Sequence, residues 1–235
     1  MAPVSVNHPI LGEVVTNIAA HKEPESRRHG RAHANSGDSA KSSGVRFAGL
    51  FGRRDGLNRS PGWRIEAPAE FEFGRMLTSL DDRFTVLRAF NIFGDLDADF
   101  VVVGPPGIFL LTTRVQSNAK IWVDEAVLWV NGHPTNQVRD CRTAADRASA
   151  RLSTAIGQAI RATPIIAVMD PHSLSFGGDP AQRVVTLPAD LVTQWLSDCS
   201  RTLSDDTVAS FAMVAEDRAT WGLPPNGSGL LDRVR

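Results

Sequence analysis

Residues 99–114 constrain the fold more than any other part of the sequence. Asp99 leads into an apolar run, a Gly-Pro-Pro-Gly segment at 104–107 interrupts that run, and a second apolar run ends in Thr112-Thr113-Arg114. Two short apolar runs separated by turn-forming residues are typical of a buried β-hairpin. The sequence therefore predicts two paired strands, with a carboxylate where the first begins and a cation where the second ends.

The pattern from Pro61 to residue 235 is that of one globular domain of mixed α/β class, and residues 1–60 lie outside it. Strands run consecutively before residue 130 and alternate with helices after it, so we expect a central mixed sheet flanked by helices. The other predicted elements are a helix from about Pro68 to Leu80, strands at 84–90, 119–123 and 127–130, a helix at 137–160, strands at 164–169 and 183–187, a helix opened by Pro188, and a helix from Ser204 to about Ala215.

Composition narrows the class of protein. The chain has 235 residues, of which 42% are hydrophobic, so it can bury one core. No run approaches about 18 uninterrupted apolar residues, the length of a membrane span. The first residues also lack the basic and apolar regions of a secretory signal, which predicts a cytoplasmic protein. Cys141 and Cys199 have neither metal-ligand nor disulfide spacing, so buried thiols are expected.

The first 60 residues differ from the rest in charge. They carry nine Lys/Arg and five Asp/Glu, whereas residues 61–235 carry sixteen and twenty-one. Few large apolar groups occur in this segment, which predicts a largely disordered basic tail. Two amphipathic pieces, 8–20 and 44–54, are candidate docking peptides for a protein partner, nucleic acid or a membrane surface, unless they pack on their own domain. Because residues 61–235 carry a net negative charge, we expect any nucleic-acid contact to be local or to come from the tail.

The hairpin and its neighbours resemble the nuclease-related domain (NERD) family over about residues 65–200. The matching positions are Glu70 in the first helix, Asp99 before Val-Val-Val-Gly-Pro, the Gly-Ile-Phe-Leu-Leu-Thr strand, the strand bearing Trp129, and Gln137 at the start of the long helix. The resemblance implies a fold related to restriction endonucleases. In such PD-(D/E)xK nucleases, carboxylates hold a divalent metal beside the scissile phosphate, so the resemblance also implies DNA processing.

The chain departs from the family pattern at the catalytic positions. Thr112 stands where the family has Glu, Arg114 where it has Lys, and Phe100 where it has His. Mg²⁺ prefers anionic oxygens, and a Thr hydroxyl is neutral. Arg cannot act as a general base, although its fork of N–H groups suits phosphate. We therefore expect a degenerate domain that needs no cofactor and binds nucleic acid or a protein partner, with vestigial Glu70, Asp99, Thr112, Arg114 and Gln137.

Two alternatives stay open. An active Mg²⁺-dependent DNA endonuclease would use Glu70 and Asp99, and Asp97 is a possible further metal ligand because alternate residues of an extended segment share a face. Asp95 and Asp97 are otherwise explained as a solvated acidic turn. A scaffold whose N-terminal tail recruits a partner or a membrane surface is the second alternative.

Four tryptophans could stack on bases, although core packing is their commoner fate: Trp122, Trp129, Trp195 and Trp221.

Overall fold

The computed structural model describes residues 63–89, 92, 98–179, 181, 183–224 and 231–234. The predictions for the tail, including segments 8–20 and 44–54, and those for Asp95 and Asp97 lie outside the described residues. Within the described ranges, no helix has the length and hydropathy needed to cross a bilayer.

The described residues form helices and strands in alternating groups. The helices are α1 (Trp63–Leu77), α2 (Gln137–Ile156), α3 (Val192–Asp198) and α4 (Asp205–Glu216), with 3-10 helices at Ala189–Leu191 and Arg218–Trp221. The strands are β1 (Thr85–Ala89), β2 (Phe100–Gly104), β3 (Gly107–Val115), β4 (Lys120–Val123), β5 (Leu128–Val130), β6 (His133–Thr135), β7 (Ala162–Met169), β8 (Ser173–Phe176), β9 (Val185–Pro188) and β10 (Leu231–Arg233).

The strands pair into two mixed sheets flanked by helices, which confirms the predicted mixed α/β class. The larger sheet has the order β10-β1-β2-β3-β7-β9, and its strands are antiparallel from β10 to β3 and parallel from β3 to β9. The smaller sheet has the order β6-β5-β4-β8. Its strands β4 and β5 correspond to predicted strands, but β6, β8 and a second sheet were not predicted, because the residues of β6 and β8 are largely polar and give no apolar alternation.

The predicted hairpin is present as β2 and β3, and it lies in the middle of the larger sheet. Strand β2 is buried throughout, and β3 is buried from Ile108 to Thr113. One face of the hairpin, with Val101 and Leu110, packs against α2 and α4. The other face, with Phe109 and Leu111, packs against α1 and α3. Burial on both faces explains why the strands are continuously apolar rather than alternating.

Several helix boundaries differ from the prediction: α1 ends at Leu77 rather than Leu80, and Pro188 is the last residue of β9 rather than the start of the next helix. Helix α1 begins at Trp63, so Pro68 lies inside the helix rather than at its start. The φ angle that proline imposes is helical, and the missing N–H removes one hydrogen bond without ending the helix here. Helix α2 ends at Ile156, before the predicted end at 160, because Gly157 adopts a left-handed conformation with φ of 77°. The face of α2 that packs on the larger sheet is buried at Ala144, Ala145, Ala148 and Leu152.

Candidate functional site

The candidate site lies at the open end of the hairpin, opposite the turn at 104–107. Asp99 directly precedes β2, and its N–H donates to the Leu111 carbonyl oxygen at 3.0 Å. Its carbonyl oxygen accepts the N–H of Ala89 at 2.8 Å. Antiparallel pairing places the start of one strand beside the end of the other. Asp99 therefore lies beside Thr113 and Arg114, near the end of β3, at the same end of the hairpin.

The Asp99 carboxyl group is held by the neighbouring strand. The backbone N–H of Thr113 donates a hydrogen bond to Asp99 Oδ2. The pKa of Asp99 is raised from its ordinary 3.8 to about 7, because burial and, to a lesser extent, the nearby charge of Glu70 raise it more than Arg114 and Thr113 lower it. The residue keeps part of its surface exposed, yet its carboxyl group is surrounded by protein. Near neutral pH, Asp99 is therefore divided between its charged and neutral forms.

Glu70 reaches this site from the first helix. Helix α1 packs across β3, and it is fixed there by Phe73 and Leu77, both fully buried. Glu70 lies about one helical turn before Phe73 and is half-buried. It is close enough to Asp99 for the two carboxylates to repel each other. Such repulsion favours protonation of one member of the pair. The structure thus brings together two carboxylates that are far apart in the sequence.

Thr112 faces helix α2, where it meets Cys141. Thr112 and Cys141 are each 2% exposed. Burial raises the pKa of the Cys141 thiol to about 11, while a hydrogen bond with Thr112 and the charge of Arg114 lower it and the charge of Asp99 raises it. The Cys141 thiol is therefore protonated near pH 7 and adds no charge to the site. Sequence reasoning treated Cys141 only as a buried thiol, although its position one helical turn after Gln137 places both on one face of α2.

Arg114 supplies the positive charge of the site. It is half-buried, and its Nη1 donates to the Thr113 carbonyl oxygen at 2.7 Å. Its charge also lowers the pKa of Asp99 and of Cys141. A guanidinium is planar and presents five N–H donors, a geometry that matches carboxylate or phosphate oxygens. The cation thus lies within the site rather than on the open surface.

Two buried oxygen atoms in this region have no hydrogen-bond partner among the described residues: Gln137 Oε1 and Thr113 Oγ1. The Thr113 hydroxyl is near the Asp99 carboxyl group but outside good hydrogen-bond geometry. Gln137 is the first residue of α2, which packs antiparallel to β7. Because β7 runs parallel to β3, the start of α2 lies toward the end of β3 that carries Arg114. A buried polar atom without a partner costs about 1–3 kcal/mol, so a ligand with a suitable donor would be stabilised here.

The described residues do not form a complete metal site. No group of three or more His, Cys, Asp or Glu within the described ranges is arranged to hold a metal ion. Glu70 and Asp99 are the two carboxylates that come together, but one oxygen of Asp99 already accepts the Thr113 N–H. Thr112 adds a neutral oxygen in place of a third anion. Within this site the two carboxylates attract a cation, whereas the Arg114 guanidinium opposes a cation and attracts an anion.

Two further acids and two of the tryptophans have structural roles. Asp124 Oδ1 accepts the N–H groups of Ala126 and Val127, and Glu125 Oε1 accepts that of Asp179, so both acids hold loop backbone. Trp195 and Trp221 are buried in the core, whereas Trp122 is 41% exposed.

Comparison with known proteins does not assign a family or a function to the chain. No protein-family model, curated protein or solved structure matches the chain. The functional argument therefore starts from the site itself: a guanidinium, two interacting carboxylates, two buried threonines and a glutamine on one helix terminus.

Proposed function

We propose that the chain is a nuclease-related, PD-(D/E)xK-like domain that binds a phosphate group of nucleic acid at the Asp99–Arg114 site without cleaving it. The observation that supports this proposal is the state of Asp99. Its carboxyl group accepts the Thr113 N–H, and its pKa of about 7 leaves it partly protonated at neutral pH. A partly neutral carboxyl beside a permanent cation is a weak ligand for Mg²⁺.

The same arrangement favours an anion. Arg114 offers a planar set of donors, and protonation of Asp99 removes a negative charge that would repel a phosphate. Glu70 remains as the opposing charge, so the site binds phosphate more tightly as the pH falls through the pKa of Asp99, about 7. The acidic balance of residues 61–235 supports a local contact of this kind over binding to a broad basic surface.

The test combines cleavage and binding. Labelled single- and double-stranded DNA is incubated with the full-length chain and millimolar Mg²⁺ or Mn²⁺, and we expect no cleavage. Binding, measured by fluorescence anisotropy, should weaken by about tenfold in Arg114→Ala, in line with the loss of one charged hydrogen-bonding group. Arg114→Lys keeps the charge but loses the planar fork, so its affinity should be intermediate. Cleavage that disappears in Asp99→Ala, or unchanged binding in Arg114→Ala, would contradict the proposal.

An active Mg²⁺-dependent endonuclease is the second candidate, and the proximity of Glu70 to Asp99 favours it. Mg²⁺ is commonly bound by one or two carboxylates together with water and substrate phosphate. Asp97, its possible further ligand, lies outside the described residues. Calorimetric titration with Mn²⁺ separates the two candidates, because an active nuclease should bind the ion and lose that binding in Asp99→Ala. Absence of any binding heat at millimolar Mn²⁺ would remove this candidate.

A further inference from the structure

The smaller sheet has one buried face and one face open to solvent. Its buried face, with Ile121, Val123 and Leu128, packs against α2 and β7. Its open face combines aromatic, hydroxyl and basic side chains, which we call the tryptophan face: Lys120 and Trp122 on β4, Trp129 on β5, Pro134 on β6, and Ser173 and Ser175 on β8.

Strand register places the rings of this face in a row. Trp122 is opposite Trp129, and Trp129 is opposite Pro134. The centroids of the two indole rings are 6.1 Å apart, and the ring planes are inclined by 55°. On the other side of β4, Ser175 is opposite Trp122 and Ser173 is opposite Lys120. The row forms one wall of a surface pocket of about 490 Å³ that includes Lys120 and both tryptophans.

The position of the Trp122 ring is set by a glycine. A Cβ atom at Gly177 would lie 2.6 Å from Trp122 Cζ2, closer than two carbon atoms can approach. Gly177 is itself fixed, because its N–H donates to the Val123 carbonyl oxygen at 2.8 Å. Trp122 is nevertheless 41% exposed. A large aromatic side chain that is held in place and left open to solvent is typical of a binding surface.

We propose that the tryptophan face binds single-stranded nucleic acid, with bases stacked on Trp122 and Trp129 and a phosphate beside Lys120. Bases stack on aromatic side chains whatever their sequence, and a nearby cation tracks the backbone. Lys120 lies two residues before Trp122, about 7 Å along the strand, so one nucleotide can reach both. This site shares no residue with the Asp99–Arg114 site and goes beyond the proposed function.

The chemistry of the pocket selects this occupant over others. Lys120 is the one charged side chain among its described lining residues, and none of them carries a carboxylate or carboxamide. A cationic peptide would need an opposing acid, and a sugar would need such planar polar groups to bind its hydroxyls. An anionic ligand with flat aromatic rings satisfies both the lysine and the tryptophans.

The experiment measures binding of fluorescein-labelled oligo-dT to the full-length chain by anisotropy. Trp122→Ala should weaken binding by about 5- to 150-fold, the range for loss of one base–aromatic stack. Trp122→Phe should recover part of the affinity because it keeps a ring. Lys120→Ala should weaken binding and lower the dependence of log affinity on log salt concentration by about 0.7. Met213→Ala is the matched control, since Met213 is 71% exposed on α4 and should bind as the parent chain does.

Gly177→Ala tests the geometry without removing a tryptophan. The added methyl group should displace the Trp122 ring and weaken binding, while thermal unfolding confirms that the chain is folded. Arg114→Ala separates this site from the other, because the fold loss of oligo-dT affinity caused by Trp122→Ala should be the same in the Arg114→Ala background as in the parent chain. Three results would overturn the inference: no binding of oligo-dT, equal binding by Trp122→Ala, or displacement of the oligonucleotide by a soluble oligosaccharide.

Discussion

Asp99 shows which properties of a single residue are readable from sequence. Its place at the start of a buried strand follows from local pattern, since the apolar run begins at the next residue. Its pKa does not, because burial by the whole fold is the largest cause and Glu70, on another element, is the second. The role of Cys141 as a neighbour of Thr112 likewise depends on how α2 packs on the sheet.

The substitution Asp99→Asn should stabilise the protein in a pH-dependent way. The folded pKa of Asp99, about 7, exceeds its ordinary 3.8, so ionising it opposes folding. The destabilisation of the folded protein by ionised Asp99 is absent below about pH 4, grows as the pH rises toward 7 and is complete above about pH 7. Asn keeps an oxygen that can accept the Thr113 N–H. The free energy of unfolding of the variant should therefore exceed that of the parent chain by at most about 4 kcal/mol near pH 8 and by little near pH 4. Urea unfolding across this range measures the difference.

Glu70→Gln completes that test. Removing the charge of Glu70 should lower the pKa of Asp99 but leave it above 3.8, because burial is the larger cause. The loss of stability with rising pH should then be smaller and should be complete at a lower pH, while its onset near pH 4 stays the same. Glu72→Gln is the matched control, since Glu72 is exposed on the same helix. A stability difference between the parent chain and Asp99→Asn that is independent of pH would contradict this account.

At the scale of elements, prediction succeeded where the signal is local. The β2–β3 hairpin and helix α2 each occupy one continuous stretch with a clear apolar pattern. Strand β8 was missed because it is short and polar and pairs with β4, more than 50 positions away. Strand β10 was missed for the same reason, since its partner β1 lies near the other end of the domain. Such pairings depend on tertiary structure that no short window contains.

The hairpin turn offers a direct test of packing between elements. A Cβ atom at Gly104 would lie 2.2 Å from Phe84 Cδ1, inside the aromatic ring's contact distance. Gly104→Ala should therefore lower the free energy of unfolding by about 1–3 kcal/mol, the usual cost of an overpacked core. Adding Phe84→Leu makes room, so the double variant should lose less than the sum of the two single losses. Chemical denaturation of the four proteins measures this coupling, and strict additivity would disprove the contact.

At the scale of the whole molecule, the last strand closes one edge of the larger sheet. Val234 N–H donates to the Val86 carbonyl oxygen at 2.9 Å, and Arg233 approaches Glu216 of α4 at 3.8 Å. Strand β1, which β10 covers, is mostly buried. An uncovered apolar strand pairs readily with another chain.

Deleting residues 231–235 should therefore produce concentration-dependent self-association, because β1 would become an unprotected edge. Size-exclusion chromatography at several protein concentrations measures the effect. Arg233→Ala is the control, since it removes an exposed ion pair worth less than about 1 kcal/mol but keeps the strand. A deletion variant that elutes as the parent chain does would show that β10 does not protect this edge.

The contact between Thr112 and Cys141 limits which side chains position 112 can carry. The double substitution Thr112→Glu and Arg114→Lys would place a new carboxylate where both Thr112 and Cys141 are 2% exposed. That carboxylate would be desolvated against a neutral thiol, and Asp99 would repel it. A carboxylate at position 112 would thus require a compensating change in α2 as well, a requirement that the sequence of β3 alone does not reveal.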